Sequence, residues 1–351
     1  MKYQFGLIAA AVAFSTSAFA QTKWDLPTGY SANSFQTQNV QQFATEVDQL
    51  TAGKLKITLH PGGSLYKANE IKRAVQTGQV PAAEFILSGA ANENPLFGVD
   101  SIPFLATGYA DAKRLYLATK PAQDKLLASQ GMKVLFTVPW PGQSLYSIKP
   151  ISTPADFAGT KMRAYNPATT RIAQLLKAQP VTIQLAELGQ ALATGGVQNF
   201  LTSSASGVES KLHEQVKFFY PVSAWLPRNA TVVSQKAFDA LDKPTQDAVL
   251  KAAAAAEARG WATSERLDGE YIKELGAKGM TIAAPSDAVK KVLAEIGETM
   301  TAEWLKAAGM NILPPSAQLK ADMKKVGDTM LKEWLDKAGP EGKALVDAFT
   351  K

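Results

Sequence analysis

The sequence predicts two α/β lobes with a ligand cleft between them, joined by crossing segments and by one long helix. A strand–helix–strand pattern occurs twice, a helical segment of unusual length follows it, and no Gly/Ser-rich tether separates the halves. At 351 residues the chain is long enough to bury two cores. A cleft between two lobes is a favoured site for a small ligand.

The repeated pattern is carried by "EIKRAVQTGQV" (70–80) and "ELGQALATGGV" (187–197). Each has a glutamate, apolar residues at helical spacing, Thr-Gly, and a valine two residues after the glycine. Each therefore predicts an amphipathic helix that ends at a glycine and leads into a strand. Earlier strands are predicted in "KLKITLHPGGSL" (54–65) and "KMRAY" (161–165). The alternative is chance, because helix–glycine–strand sequences are common.

The long helix is predicted over "DKPTQDAVLKAAAAAEARGWATSERLDGEYIKELGAKG" (242–279). Pro244 fits a first helical turn, and Ala252 to Ala256 strongly favour helix. The pattern predicts one helix, or one bent near Gly260, that braces both lobes.

A second internal similarity joins "IGETMTAEWLKAAG" (296–309) and "VGDTMLKEWLDKAG" (326–339). Two copies are too few for a solenoid. We expect two helices, ended by Gly309 and Gly339, with similar packing faces; Trp304 and Trp334 are therefore poor ligand-contact candidates. The expected packing residues are Met300, Trp304 and Leu305 in the first copy and Met330, Trp334 and Leu335 in the second.

The N-terminal "MKYQFGLIAAAVAFSTSAFAQ" has the pattern of a secretory signal over residues 1–20. Lys2 is followed by a short apolar run and by Ala18-Phe19-Ala20, a small-residue cleavage pattern. We expect the mature protein to begin near Gln21 and to reside in the periplasm. No later run approaches the ~20 apolar residues of a membrane span.

The charges do not point to a macromolecular partner. Lys+Arg number 37 against 31 Asp+Glu, for a formal net charge of +6, and they are interspersed. A nucleic-acid-binding protein would cluster basic residues on one face, with aromatic residues among them, so no nucleic acid partner is expected. The mild surplus is compatible with a small acidic ligand.

Motifs for catalysis or metal binding are absent from the sequence. There is no cysteine, so disulfides and thiolate chemistry are excluded. His60 and His213 lie far apart, and "LHEQV" lacks the second histidine of a zinc protease. No nucleophile elbow or phosphate-binding glycine loop occurs. We expect no enzyme activity, metal or cofactor; a secreted hydrolase or lyase that uses the same cleft remains the alternative.

The strand "KMRAYNPATT" (161–170) carries an arginine in its centre. Alternation puts Lys161, Arg163 and Tyr165 on one face and Met162 and Ala164 on the other. A guanidinium offers paired donors that match the two oxygens of a carboxylate. From the residues alone, a surface ion pair is the commoner explanation, because most arginines are exposed.

The segment "GTKMRAYNPATTRIAQLLKAQPVTIQLAELGQALATGGVQ" (159–198) resembles the central part of the periplasmic solute-binding proteins of TRAP transporters, the DctP-type family. It has that family's Gly-x-Lys-x-Arg strand and its Glu-x-x-x-Ala-Leu-x-Thr-Gly helix end. Further similarity lies in "AVQTGQV", "DSIPFL" and "YSIKPISTPADFAGTKMR". Departures are Gln198-Asn199 for the usual Asp-Gly, Leu185 for a frequent aromatic residue, and Thr202 for a frequent asparagine.

The resemblance implies that Arg163 forms a two-pronged salt bridge with the carboxylate of the ligand. Gln143 lies where some members have a second arginine, which favours a single acid group, and Thr202 could bond the carboxylate or a hydroxyl. Ser88 is expected at the carboxyl end of a strand. Core packing is the alternative for the two tryptophans, and a turn role for Asn166. The remaining candidate ligand contacts are Asn166, Tyr30, Asn33, Trp140 and Trp225.

The resemblance further implies a monomeric binding protein that closes over a small organic acid and delivers it to TRAP membrane subunits. A polyhydroxy monocarboxylate is the favoured ligand, and a sensory binding module without a transporter is indistinguishable by sequence. Lobe I is predicted to comprise residues 21–140 and 228–270, and lobe II, with C-terminal helices, residues 141–227 and 271–351.

Overall fold

The computed structural model describes residues 21–310 and 316–349, so the predicted signal segment, residues 1–20, lies outside the described residues. The chain divides into two compact units between Trp304 and Leu305. The strands are β1 (Thr22–Pro27), β2 (Leu55–His60), β3 (Ala82–Ile86), β4 (Met132–Pro139), β5 (Ser144–Ser147), β6 (Lys161–Ala164), β7 (Gln179–Thr182), β8 (Asn199–Thr202), β9 (Phe218–Tyr220), β10 (Arg228–Ser234) and β11 (Thr281–Ile282). The helices are α1 (Phe35–Leu50), α2 (Ile71–Gln76), α3 (Tyr109–Ser129), α4 (Pro167–Leu175), α5 (Leu185–Ala193), α6 (Ser204–Glu209), α7 (Gln235–Asp239), α8 (Lys243–Ala277), α9 (Asp287–Ala307) and α10 (Ala317–Phe349).

The strands of the first unit separate into two groups, which we call lobe I and lobe II. In lobe I, β1 pairs in parallel with β2, and β10 lies antiparallel between β3 and β4. A parallel bridge between Thr28, just after β1, and Glu84 of β3 connects the two sets. In lobe II, six strands form one sheet in the order β11-β9-β5-β8-β6-β7.

Besides α8, which leads from lobe I to β11 of lobe II, two segments carry the chain between the lobes, one from β4 to β5 and one from β9 to β10. They run side by side, since Trp140 N donates to Pro227 O and Gln143 N donates to Trp225 O, both at 2.8 Å. Gly142 permits this approach: a Cβ atom there would lie 2.1 Å from the hydroxyl oxygen of Ser223. The crossing segments are therefore closely packed and hydrogen-bonded.

Helix α8 confirms the predicted long helix as a single element of 35 residues. It begins at the N-cap Asp242, whose carboxylate accepts from Thr245 N at 2.8 Å, and Pro244 lies in the first turn. The helix continues through Gly260, where it packs closely against β4. A Cβ atom at this position would lie 2.4 Å from a methyl of Val138, so only glycine fits. Helix α8 contacts α1 and β4 of lobe I, and also α6 and β11 beside and within the lobe II sheet.

The repeated segments occupy corresponding positions in the lobes. Helices α2 and α5 both end in Thr-Gly, where Thr77 and Thr194 donate to carbonyls four residues back and the glycines have φ of +74° and +70°. Lobe I runs β1-α1-β2-α2-β3 with β1 next to β2 and bridged to β3. Lobe II runs β6-α4-β7-α5-β8 with β6 between β7 and β8. The strand directly before α5 is thus β7. The KMRAY strand is β6, which precedes α4.

The second internal similarity has different environments in its two copies. Met300 of α9 is 7% exposed and buried, as expected, whereas Met330 and Trp334 of α10 are 65% and 46% exposed. The prediction of a similar packing face in the second copy is therefore wrong. The same spacing places these side chains on one face of α10, but the described residues leave that face exposed. Gly309 follows α9 with φ +80°, and α10 kinks at Gly339.

None of the helices in the described part of the chain is long and apolar enough to cross a membrane.

Candidate functional site

A cavity of about 140 Å³ lies between the lobes. Its volume is close to the roughly 150 Å³ of an engineered protein cavity that takes up benzene, so it suits a single small ring or a short chain. Both lobes and the crossing segments contribute side chains that differ in chemistry: Tyr30, Glu84, Trp140, Arg163, Tyr165 and Thr202.

Arg163 lies in the wall of this cavity and is only 3% exposed. Its strand β6 pairs with β7 and β8 along its two edges, and the burial of the side chain excludes the surface ion pair. Arg163 Nε donates to Ile183 O at 2.8 Å, and the guanidinium lies 5.0 Å from the centre of the Tyr165 ring. Within the described residues no carboxylate pairs with it, and its Nη groups have no hydrogen-bond partner. Burial lowers its pKa to about 10.

The orientation of Arg163 is fixed by its neighbours. The Nε–H bond to a main-chain carbonyl and the adjacent Tyr165 ring set the plane of the guanidinium. Tyr165 is itself held, because its hydroxyl donates to Gln143 Oε1 at 3.2 Å, and Gln143 Nε2 donates to Pro141 O at 3.1 Å. The result is a fixed cation whose two Nη groups can donate in parallel to the two oxygens of a planar anion.

Lobe I contributes a hydrogen-bonded network to the opposite part of the lining. Tyr30 OH and Trp140 Nε1 both donate to Asn229 Oδ1, at 3.2 Å and 2.9 Å. The amide of Asn229 and the hydroxyl of Thr28 then donate to the two carboxyl oxygens of Glu84. The Tyr30 and Trp140 rings lie 4.8 Å apart and provide an aromatic surface.

Thr202 ends β8 and is buried beside the cavity. Its hydroxyl has no hydrogen bond to another residue of the described ranges, so it is available to a ligand. Of the predicted ligand contacts, the structure brings five together around the cavity: Arg163, Gln143, Thr202, Tyr30 and Trp140.

The other four predicted contacts do not line the cavity. Asn166 caps α4, and its Nδ2 donates to Ser88 Oγ at 2.9 Å, so these two buried side chains join the lobes to each other. Asn33 is exposed and donates to Glu209 O at 3.2 Å. Trp225 is buried in the lobe II core.

The positions of the two histidines and of the acidic side chains concern metal binding and catalysis. His60 contacts Asp25 at 2.7 Å on the surface, and His213 lies elsewhere, in a short 3-10 helix. Within residues 21–310 and 316–349, no group of three or more His, Asp or Glu side chains is arranged to hold a metal ion.

Sequence reasoning missed Glu84, Asn229 and Tyr165. The signal for Glu84 is present in "AAEFIL", where one carboxylate interrupts an apolar strand, as Arg163 does in its own strand. A charge in a strand that is buried on both faces is costly and calls for a functional or structural partner. Asn229 could not be found this way, because its role depends on pairing β10 with β3 across 145 residues.

Comparison with known proteins identifies the class. The family described as "Bacterial extracellular solute-binding protein, family 7" (DctP) matches residues 28–308. The chain belongs to this family and is a solute-binding protein. The predicted family and the predicted two-lobed α/β fold are confirmed.

Three relatives illustrate the similarity. The crystal structure of DctP6, a Bordetella pertussis extracytoplasmic solute receptor binding pyroglutamic acid, is 50% identical, covers 82% of this chain and 96% of its own, and has a TM-score of 0.80. A TRAP solute-binding protein from a marine metagenome, specific for pyroglutamate and crystallised with it, is 39% identical, with coverage of 94% and 99% and a TM-score of 0.79. A solute-binding protein of Albidiferax ferrireducens is 27% identical over 304 residues, 83% of this chain and 89% of its own.

Proposed function

We propose that this protein binds pyroglutamate in the cavity between its lobes, in the periplasm, and delivers it unchanged to the membrane subunits of a TRAP transporter. The observation that carries the proposal is the buried Arg163 guanidinium, whose Nη groups have no partner among the described residues. A buried arginine without a carboxylate is costly, and a ligand carboxylate would supply the missing partner.

The size and chemistry of the cavity support a cyclic monocarboxylate. Pyroglutamate is a single five-membered lactam ring with one carboxylate, which suits a cavity of about 140 Å³. Among the described residues, Arg163 is the one arginine that lines the cavity. The family resemblance aligns the uncharged Gln143 with a second arginine of some members, which favours a single acid group over a dianion. The Tyr30 and Trp140 rings offer apolar contact for the ring methylenes.

This ligand replaces the polyhydroxy acid favoured from the sequence. Two relatives, 50% and 39% identical to this chain, bind pyroglutamate.

The mechanism that fits this architecture is hinge closure. The ligand contacts groups from both lobes, so it favours the closed arrangement through its higher affinity for that state. The paired crossing segments at Trp140–Pro227 and Gln143–Trp225 are the hinge, and the Asn166–Ser88 bond adds a direct contact between lobes. The ligand undergoes no chemical change.

Calorimetric titration with pyroglutamate, gluconate, proline and glutamate tests the ligand. We expect pyroglutamate to bind most tightly, because it alone combines one acid group with an uncharged lactam. Tighter binding of gluconate would restore the polyhydroxy acid as the favoured ligand and refute the proposal.

Mass spectrometry of the released ligand separates binding from catalysis: a product of different mass would support a hydrolase or lyase. Uptake into cells that express the membrane subunits, with and without this protein, tests delivery.

A further inference from the structure

Glu84 is a buried carboxyl group in the cavity wall that the carboxylate-binding arginine does not explain. It lies in the middle of β3 and is 1% exposed. Its hydrogen-bond partners are two neutral groups, the Thr28 hydroxyl and the Asn229 amide. Among the described residues no lysine or arginine forms an ion pair with Glu84. A structural carboxylate at this depth is normally paired with a cation.

The orientation of the surrounding network makes Glu84 an acceptor. Asn229 Oδ1 receives hydrogen bonds from Trp140 and Tyr30, so the amide NH₂ of Asn229 must face Glu84. Thr28 donates to the second oxygen. Each carboxylate oxygen can accept about two hydrogen bonds. These protein donors therefore occupy roughly half of its capacity.

The electrostatic surroundings of Glu84 favour one more hydrogen-bond donor to its carboxylate. Burial raises its pKa to about 7, although the bonds from Thr28 and Asn229 lower it. The titratable groups that share its cavity are Tyr30, Arg163, Tyr165 and the Lys72–Glu93 pair. Lys72 is already engaged with Glu93 at 2.6 Å. An N–H donor from a ligand would stabilise the ionised carboxylate that burial disfavours.

We infer that Glu84 accepts a hydrogen bond from the ring N–H of the ligand, and that Glu84 and Arg163 together select cyclic acids that carry such a donor. The inference rests on the proposed pyroglutamate function and names the residue that recognises the lactam. Arg163 then binds the carboxylate of the ligand, and Glu84 accepts a hydrogen bond from its ring N–H. An acid of the same shape without this donor leaves the buried Glu84 carboxylate unsatisfied.

The test compares pyroglutamate with its γ-lactone analogue, in which a ring oxygen replaces the N–H while the carboxylate and carbonyl remain. Both compounds are titrated calorimetrically into the wild-type protein. We expect the lactone to bind roughly tenfold to a hundredfold more weakly, since a hydrogen bond to a charged acceptor is lost. The comparison needs no variant, so it cannot fail through misfolding.

Glu84→Gln identifies the acceptor. Glutamine fits the site, because its oxygen can face Asn229 and its amide can donate to Thr28. We expect the preference for pyroglutamate over the lactone to fall to a few-fold, as a neutral acceptor contributes roughly half as much as a charged one. Glu46→Gln is the matched control: Glu46 pairs with Arg259 outside the cavity, and its loss should leave the preference unchanged.

The outcomes separate the two claims. Equal affinity for pyroglutamate and lactone in the wild type overturns the role of Glu84 while leaving the proposed function intact; this result is also expected if Glu84 donates to the carbonyl instead. A Glu84→Gln variant that keeps the full wild-type preference overturns it as well. Failure of pyroglutamate to bind the wild type overturns the proposed function and this inference with it.

Discussion

Replacing Arg163 by alanine should abolish high-affinity binding of pyroglutamate and leave the fold intact. Arg163 is 3% exposed, and its Nη groups have no protein partner in the described ranges, so their hydrogen-bonding capacity is directed to the ligand. Truncating one member of a buried, hydrogen-bonded charge pair costs about 2–5 kcal/mol. This corresponds to an affinity loss of roughly thirtyfold to several thousandfold.

The stability of the ligand-free protein should change little in the same variant. Arg163→Ala removes the Nε–Ile183 O bond, which contributes about 0.5–1.5 kcal/mol. It also removes a cation whose pKa burial lowers to about 10, which shows that burial disfavours its charged form. The two effects oppose each other, so the melting temperature should move by a few degrees at most, at roughly 2–4 °C per kcal/mol.

Calorimetric titration and thermal unfolding of two further variants complete the assay. Arg163→Lys should recover only part of the affinity, because an ammonium cannot form two parallel bonds with a carboxylate. Arg171→Ala is the matched control: Arg171 forms an exposed pair with Glu303 at 2.6 Å, and such pairs contribute little. The reasoning is refuted if Arg163→Ala binds pyroglutamate as tightly as the wild type, or if its melting temperature collapses while affinity is retained.

Four other outcomes are expected. Gly142→Ala should destabilise the protein by about 1–3 kcal/mol, because its Cβ would lie 2.1 Å from Ser223 Oγ; an unchanged melting temperature would contradict this. Ser88→Ala should weaken pyroglutamate binding roughly twofold to tenfold in calorimetry, since it removes the bond from Asn166 between the lobes; equal affinity would show that closure does not need it. Burial raises the pKa of Glu84 from 4.5 to about 7, so the folded protein holds a proton that the unfolded chain releases between these values. This contribution to the stability of the ligand-free protein is complete below pH 4.5 and is lost as the pH rises through 7. The free energy of unfolding of the wild type minus that of Glu84→Gln should therefore fall from pH 5 to pH 8 in denaturant titrations, and a flat difference would argue against it. Binding should survive dialysis against a chelator, as the described residues contain no metal-binding cluster; loss of binding would implicate an ion.

Several elements of this fold are determined by local sequence. The α8 helix is specified by Asp242, Pro244 and the alanine run, all of which act within a turn or two of the chain. The Thr-Gly ends of α2 and α5 follow from backbone geometry at Gly78 and Gly195. Arg163 could be recognised from its strand and from the family resemblance, although its burial could not.

Tertiary structure decided how the strands pair and therefore which side chains meet. Ser88 and Asn166 have the residue types of ligand contacts, but the approach of the lobes turns them toward each other. The same spacing buries Met300 and exposes Met330, because burial depends on what lies opposite a helix. Glu84 becomes an acceptor only when β10 brings Asn229 beside it, across 145 residues. Local periodicity carries no information on such pairing, since it is set by long-range packing of the whole sheet.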